Sequence, residues 1–153
     1  MKKNKLYIMC GIPGSGKSSY IKKTFDDVFK VSPDDIRREI LGDVNNQSNG
    51  NIVFKSCFLI TNLAAKSNNV VFDATNTTDK AVNAIIKNCG DNFDEIIVIK
   101  IECEKELAFN RIQEDIKKGK DRADVPYHVI TRMYNNFKNL KLNNEKINQV
   151  WEL

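Results

Sequence analysis

Apolar residues follow two alternating patterns along this chain. Short runs rich in β-branched residues occupy positions 6–10, 28–31, 70–73, 95–101 and 146–151, and each has the length of a strand. Between these runs the apolar positions recur at helical spacing. That spacing predicts helices over 17–25 and 33–41, through Val53, Cys57, Ile60 and Ala64, and through Val82, Ile85, Ile86 and Cys89. Two more are predicted over 105–117 and over 126–140, the last with Val129, Met133, Phe137 and Leu140 on one face. Polar residues 42–51 and charged residues 117–125 read as loops. Strands alternating with helices imply βαβ units, so the expected architecture is α/β: a parallel sheet of about five strands flanked by helices.

The length of 153 residues suits one domain spanning 1–153 with one active site. A net charge of +4 is scattered rather than clustered, so composition alone does not single out nucleic acid as a partner. Cys10, Cys57, Cys89 and Cys103 form no CxxC pair and have no clustered histidines near them, which argues against a zinc or redox site. They are expected to be free thiols in a reducing cytoplasm. The apolar run after the basic start is too short for a signal peptide, and no segment is long enough to span a membrane; a soluble, cytoplasmic protein with no membrane partner is expected. The pattern sets no oligomeric state.

Gly11-Ile12-Pro13-Gly14-Ser15-Gly16-Lys17-Ser18 fits G-x-x-x-x-G-K-S/T and lies between a predicted strand and a predicted helix. Glycines let backbone N–H groups turn toward phosphates, and the helix that starts there adds its positive end. Lys17 supplies a point charge to the β- and γ-phosphates, and Ser18 offers a hydroxyl to a bridging magnesium ion, with Ser19 beside it. ATP and Mg2+ are therefore the expected cofactors. A P-loop kinase fold follows, with the P-loop strand central and the strand ending at Asp73 next to it.

Other acids and bases fall where such a site would use them. Ser32-Pro33-Asp34-Asp35-Ile36-Arg37 follows the second strand. Ser32 there is an expected helix cap with Pro33 in the first helical position, and Asp35 suits the capped first turn. Capping explains Asp34 and Arg37 less well: a hydroxyl acceptor needs a carboxylate to take its proton and a base to hold a nearby phosphate. Asp73 ends an apolar strand in the Walker-B manner and is expected near the metal; an Asx-turn with Thr75 or Asn76 is the alternative. Thr77 or Thr78 should start the next helix. The basic loop ahead of Pro126 suits a helical lid over about residues 111–126. Its expected phosphate-binding arginines are Arg122 first and Arg111 second. His128 is read as a partly buried helix residue and Trp151 as packing.

These residues resemble the phage-type 5′-hydroxyl polynucleotide kinases, within the small P-loop kinases. The resemblance runs from Lys5 to about Leu140 and is carried by residues 11–18, Asp34-Asp35-Ile36-Arg37, Asp73-Ala74-Thr75-Asn76, and Val125-Pro126 followed by Arg132-Met133-Tyr134. It implies that Asp34 is the general base on the 5′-hydroxyl and that Arg37 clamps the acceptor's adjacent phosphate. It also implies that Thr75 and Asn76 lie at the acceptor, with Asp73 near the metal, and that a lid arginine touches the donor phosphates. Ser32-Pro33 replaces the Asn-Arg of the phage type. No D-x-D-G-T phosphatase segment is present, so the resemblance implies the kinase half alone, acting on a 5′-hydroxyl end of DNA or RNA. A kinase of the same fold acting on a nucleoside, sugar or nucleotide sugar, or a non-catalytic ATP-binding module, remains open from sequence.

Overall fold

A computed structural model describes residues 3–48 and 50–153. Its centre is a five-stranded sheet of β1 (Lys5–Cys10), β2 (Phe29–Val31), β3 (Val70–Phe72), β4 (Glu95–Lys100) and β5 (Gln149–Glu152). The order is β2-β3-β1-β4-β5 and every neighbouring pair is parallel. The P-loop strand β1 is thus central and β3 adjoins it, as the sequence predicts. Each strand falls inside or within one residue of its predicted run, although β5 is shorter and begins at Gln149 rather than 146.

Period-two alternation sends β1 into two cores. Leu6, Ile8 and Cys10 face Val53 and Cys57 of α3 (Gly50–Ala64) and Val82, Ile85 and Ile86 of α4 (Asp79–Cys89). Tyr7 and Met9 face Ile21 of α1 (Lys17–Thr24) on the other side, with Trp151 packed against them. A third cluster joins Ile12 of the P-loop to Ala108 and Ile112 of α5 (Lys105–Lys117) and to Ile130 of α6 (Tyr127–Lys138). The phosphate loop is therefore anchored by its own isoleucine to the two helices that flank the basic loop, residues 118–126.

The second predicted helix departs from expectation. It is four α residues, α2 (Pro33–Ile36), followed by a π-turn over Arg37–Leu41 that ends at Gly42 with φ 72°. π-turns are rare and concentrate where side chains must be re-aimed; this one carries Arg37 and Arg38. The predicted loop 42–51 ends earlier than expected, because α3 already begins at Gly50; position 49 lies outside the described residues, as do Met1 and Lys2. On α3 it is Thr61 rather than Ile60 that is fully buried, its hydroxyl donating to Cys57 O at 2.8 Å, while Ile60 packs at the cluster's edge. On α6, Ile130 and Phe137 are the buried residues, Val129 and Met133 are half-buried, and His128 is exposed rather than partly buried.

All four cysteines are free thiols, and burial pushes Cys10 and Cys89 up to about 12 and Cys57 up to about 11. Among the described residues no helix is long and apolar enough to cross a membrane.

Candidate active site

The switch point of the sheet lies at β1, whose neighbours β3 and β4 come from opposite directions of the winding. Ligands of open α/β sheets bind at the carboxyl ends of strands at such a point. Residues 11–18 occupy it. Gly14 and Gly16 have φ of 80° and 98°, which L side chains rarely adopt. A Cβ on Gly14 would also lie 2.4 Å from Ala108 O of α5. Gly14→Ala is expected to cost about 1–3 kcal/mol through backbone strain, and more where α5 cannot yield. A urea midpoint equal to wild type would refute this.

Gly16 caps α1 without a side-chain hydrogen bond, so the first-turn N–H groups keep their donors for an anion. Lys17 is buried, and Nζ donates to Gly11 O at 2.8 Å and Ile12 O at 2.9 Å. Burial depresses it to about 8, opposed first by the charge of Asp73 and helped by Arg122; Asp34 acts from the same surroundings. Of the charges expected at the site, Asp73, Arg122 and Asp34 thus act on Lys17.

Ser18 Oγ donates to Asp73 Oδ2 at 3.3 Å, and Asp73 is 8% exposed. The Asx-turn alternative is not what its carboxylate does. Hydroxyl and carboxylate oxygens suit a hard divalent cation. Among the described residues no cluster of three or more His, Cys, Asp or Glu side chains forms a protein cage for a metal. Two oxygen ligands fit magnesium, which takes most of its shell from phosphates and water. The turned glycines, uncapped helix start and central lysine fit a nucleoside triphosphate.

Ser32 caps α2 by accepting from Asp35 N, with Pro33 in the first turn, as the sequence implies. The neighbouring acids then part company. Asp34 Oδ1 accepts from Arg37 Nη1 at 2.9 Å, and Asp35 Oδ1 accepts from Arg38 Nη1 at 2.8 Å. The Arg37 side chain is 12% exposed, and its buried Nε has no hydrogen-bond partner among the described residues.

Several placements differ from the simplest reading of the sequence. Asn76, at φ 44°, is buried, and its amide donates to Met9 O at 2.7 Å. Thr75 O accepts from Gly11 N at 2.8 Å. Thr75 braces the P-loop at Gly11 and Asn76 the end of β1 just before it, and of the two only Thr75 keeps a half-exposed side chain. Of the two threonines expected to start the next helix, Thr78 caps α4, in agreement with the sequence. Arg111 Nη1 donates to Gly14 O at 3.3 Å, bracing the same loop from α5. Arg122 Nη1 donates to Asp115 Oδ2 at 2.6 Å, so its guanidinium is held by α5.

Lys30 and Asp115 escaped sequence reading. Lys30 Nζ lies 3.5 Å from Asp73 Oδ2 and 4.0 Å from Asp35 Oδ2. Its signal was faint: a lone cation in a short apolar run, whose importance depends on the parallel β2–β3 register that sets Lys30 beside Val71. Asp115 sits seven residues before Arg122, across a helix end, where no local rule pairs them.

A family model described as an AAA domain matches residues 6–140. No curated protein matches the chain significantly. A chain of the Pnkp1/Rnl/Hen1 RNA repair complex superposes with a TM-score of 0.80 at 20% identity, over 96% of this chain and 48% of that one. A chain of another Pnkp1/Rnl/Hen1 complex structure gives 0.62 at 26% identity, over 72% and 40%. This protein therefore spans about half the length of those chains or less. Kti12 of Chaetomium thermophilum, in complex with ADP-AlF3, gives 0.63 at 12% identity, over 97% and 88%. With its P-loop at the switch point of a parallel sheet, and a family match that spans most of its length, this chain belongs to the AAA domain family and has a P-loop kinase-like, nucleotide-binding fold.

Proposed function

We propose that this protein transfers the γ-phosphate of ATP to the 5′-hydroxyl of a polynucleotide, DNA or RNA, in the cytoplasm. The observation that carries the proposal is the Asp34–Arg37 pair at the carboxyl end of β2, the same edge of the parallel sheet as the P-loop. It joins a carboxylate to a largely buried guanidinium whose Nε is unpaired. An acceptor with both a hydroxyl and an adjacent phosphate needs that combination. The likeness in fold to chains of an RNA repair complex supports the same reading.

In this reading the residues divide the work. The loop from Gly11 to Ser18, with Ser19, and the Lys17 ammonium hold the β- and γ-phosphates. Ser18 and Asp73 would hold magnesium, which would supply charge neutralisation at the phosphates. Asp34 accepts the proton of the attacking hydroxyl as its oxygen bonds to the γ-phosphorus and the bond to the β,γ-bridging oxygen breaks, releasing ADP. Arg37 holds the acceptor phosphate, with Thr75 nearby. Residues 111–126 form the lid, whose Arg122, set by Asp115, faces charge developing on the transferring group. Arg111 braces the loop beneath.

The test is a panel of acceptors incubated with γ-labelled ATP and magnesium: 5′-hydroxyl oligonucleotides, 3′-nucleotides, nucleosides, sugars and nucleotide sugars. Label is expected on the oligonucleotides and 3′-nucleotides. Label on a sugar or nucleoside alone would replace the proposal with a small-molecule kinase, and no label on any of them with a binding module. Arg37→Ala is expected to raise KM for the oligonucleotide while leaving that for ATP unchanged. A parallel rise in the ATP constant would move Arg37 to the donor end.

A further inference from the structure

The loop 118–126 is tied to the acceptor side of the site by residues that the reaction itself does not use. Arg38, on the π-turn beside Arg37, spends its guanidinium in two directions. Nη1 donates to Asp35 Oδ1 at 2.8 Å on its own helix. Nε donates to Asp121 Oδ2 at 2.7 Å, and Nη2 to Asp121 O at 3.1 Å, across 83 residues of chain. A second tie lies nearby, where Asp124 N donates to Asn45 Oδ1 at 2.9 Å. Asp121 directly precedes Arg122, whose guanidinium is held from the other side by Asp115.

We propose that Arg38 is a positioning residue that latches the lid to the acceptor helix and so fixes Arg122 from the side on which the acceptor binds. Asp35 orients the guanidinium by taking Nη1, which leaves the remaining edge to grip both a carboxylate and a carbonyl of Asp121. The planar guanidinium fork sets these donors at fixed angles, a geometry that the freely rotating ammonium of a lysine does not preset. The consequence is a coupling between the two ends of the site. Asp34 and Arg37 sit on the same short segment as Arg38, so ordering that segment by an acceptor also orders the loop that carries Arg122. This proposal rests on the reading of residues 111–126 as a lid over transferred phosphate.

The latch is accessible to water, Arg38 being 34% and Asp121 70% exposed in their side chains, so its strength is modest and salt-sensitive. Amide hydrogen exchange of the free protein reads it without any substrate. In Arg38→Gln, exchange across 118–126 is expected to quicken by about three-fold, the usual scale of a surface ion pair, while exchange in β1 and β4 stays as in wild type. Arg38→Lys, which keeps the charge and loses the fork, is expected to resemble Arg38→Gln. Asp35→Asn is expected to shift the loop in the same direction. In wild type, raising the salt to about 1 M should quicken the same peptide, and by more than in Arg38→Gln, where only the ion pairs of Lys120 and Arg122 with Asp115 remain to be screened. As the activity readout, Arg38→Gln should lower kcat several-fold with the KM for ATP unchanged. Unaltered loop exchange in Arg38→Gln, or a wild-type loop indifferent to salt, overturns the latch; the salt arm decides even if the variant folds poorly. Failure of the acceptor panel would sink the polynucleotide reading without touching the exchange result, so the two failures are distinguishable.

Discussion

Replacing Asp34 with asparagine is expected to lower turnover by about two to four orders of magnitude, the usual contribution of a general base. The transition state of phosphoryl transfer is loose, so the protein mostly positions groups and stabilises charge, yet the attacking hydroxyl must still give up its proton. Asparagine keeps the shape of the side chain and can still accept a hydrogen bond from Arg37 through its amide oxygen, but it cannot take that proton. ATP binding is expected to change little, because Asp34 lies on α2 and not on the phosphate loop. The structure sharpens the comparison with its neighbour. Asp35 has the same charge one residue on, but its carboxylate accepts from Arg38, which also holds Asp121, and not from Arg37. Asp35→Asn should therefore cost only a few-fold in turnover. Single-turnover rates under saturating ATP are the measurement. Asp34→Asn within a few-fold of wild type, or a reversed order of the two variants, would assign the base elsewhere.

Lys17→Met is expected to reduce turnover by about three orders of magnitude, since under the proposed function it removes the cation that would meet the transferring phosphates. Methionine has a length that fills the same buried space, so the core beside Gly11 and Ile12 should survive. The stability consequence has an unusual sign. In the native state burial lowers the Lys17 ammonium to about 8, against an ordinary value of 10.5. Between those limits the unfolded chain binds the proton and the native one releases it, so wild-type stability gains from this residue as pH rises through that window. Below about 8 both states are charged and the cost of burying the ammonium is fully present. Relative to Lys17→Met, the wild type should therefore be least stable at neutral pH and recover toward pH 10. Comparing urea midpoints of the two proteins at several pH values cancels the titration of other groups. A constant difference would mean that Lys17 is not desolvated as the structure shows.

Those two residues were legible because each sits in a local pattern. Lys17 belongs to a motif of eight consecutive residues, and Asp34 and Arg37 stand three apart, a spacing that one turn of helix brings together. The parallel sheet was legible for a similar reason. Residues buried on both faces make continuous apolar runs, as Leu6 to Cys10 do, and runs separated by helical periods leave few ways to connect. The central place of β1 and the adjacency of β3 were expected from the P-loop kinase order that residues 11–18 imply, and the strand order bears them out.

The remainder needed the folded chain. Nothing local marks Lys30 as the partner of Asp73, since the two are 43 positions apart and meet through the β2–β3 register. The same is true of Asn76, which looks like a ligand-binding amide in sequence but is spent on Met9 O, 67 residues away. The π-turn at Arg37–Leu41 is invisible to a helical period, because a widened turn keeps the same residue types and only re-aims them. In sequence Arg122 and Arg111 both read as cations near phosphate, yet only the packing of α5 shows one held by Asp115 and the other bracing Gly14. By itself, the sequence determined the strands, the phosphate loop and the Asp34–Arg37 pairing three residues apart, because periodicity and short motifs act over one or two turns. The tertiary structure decided which charges meet, because an ion pair between distant residues depends on strand order and helix placement and leaves no periodic trace.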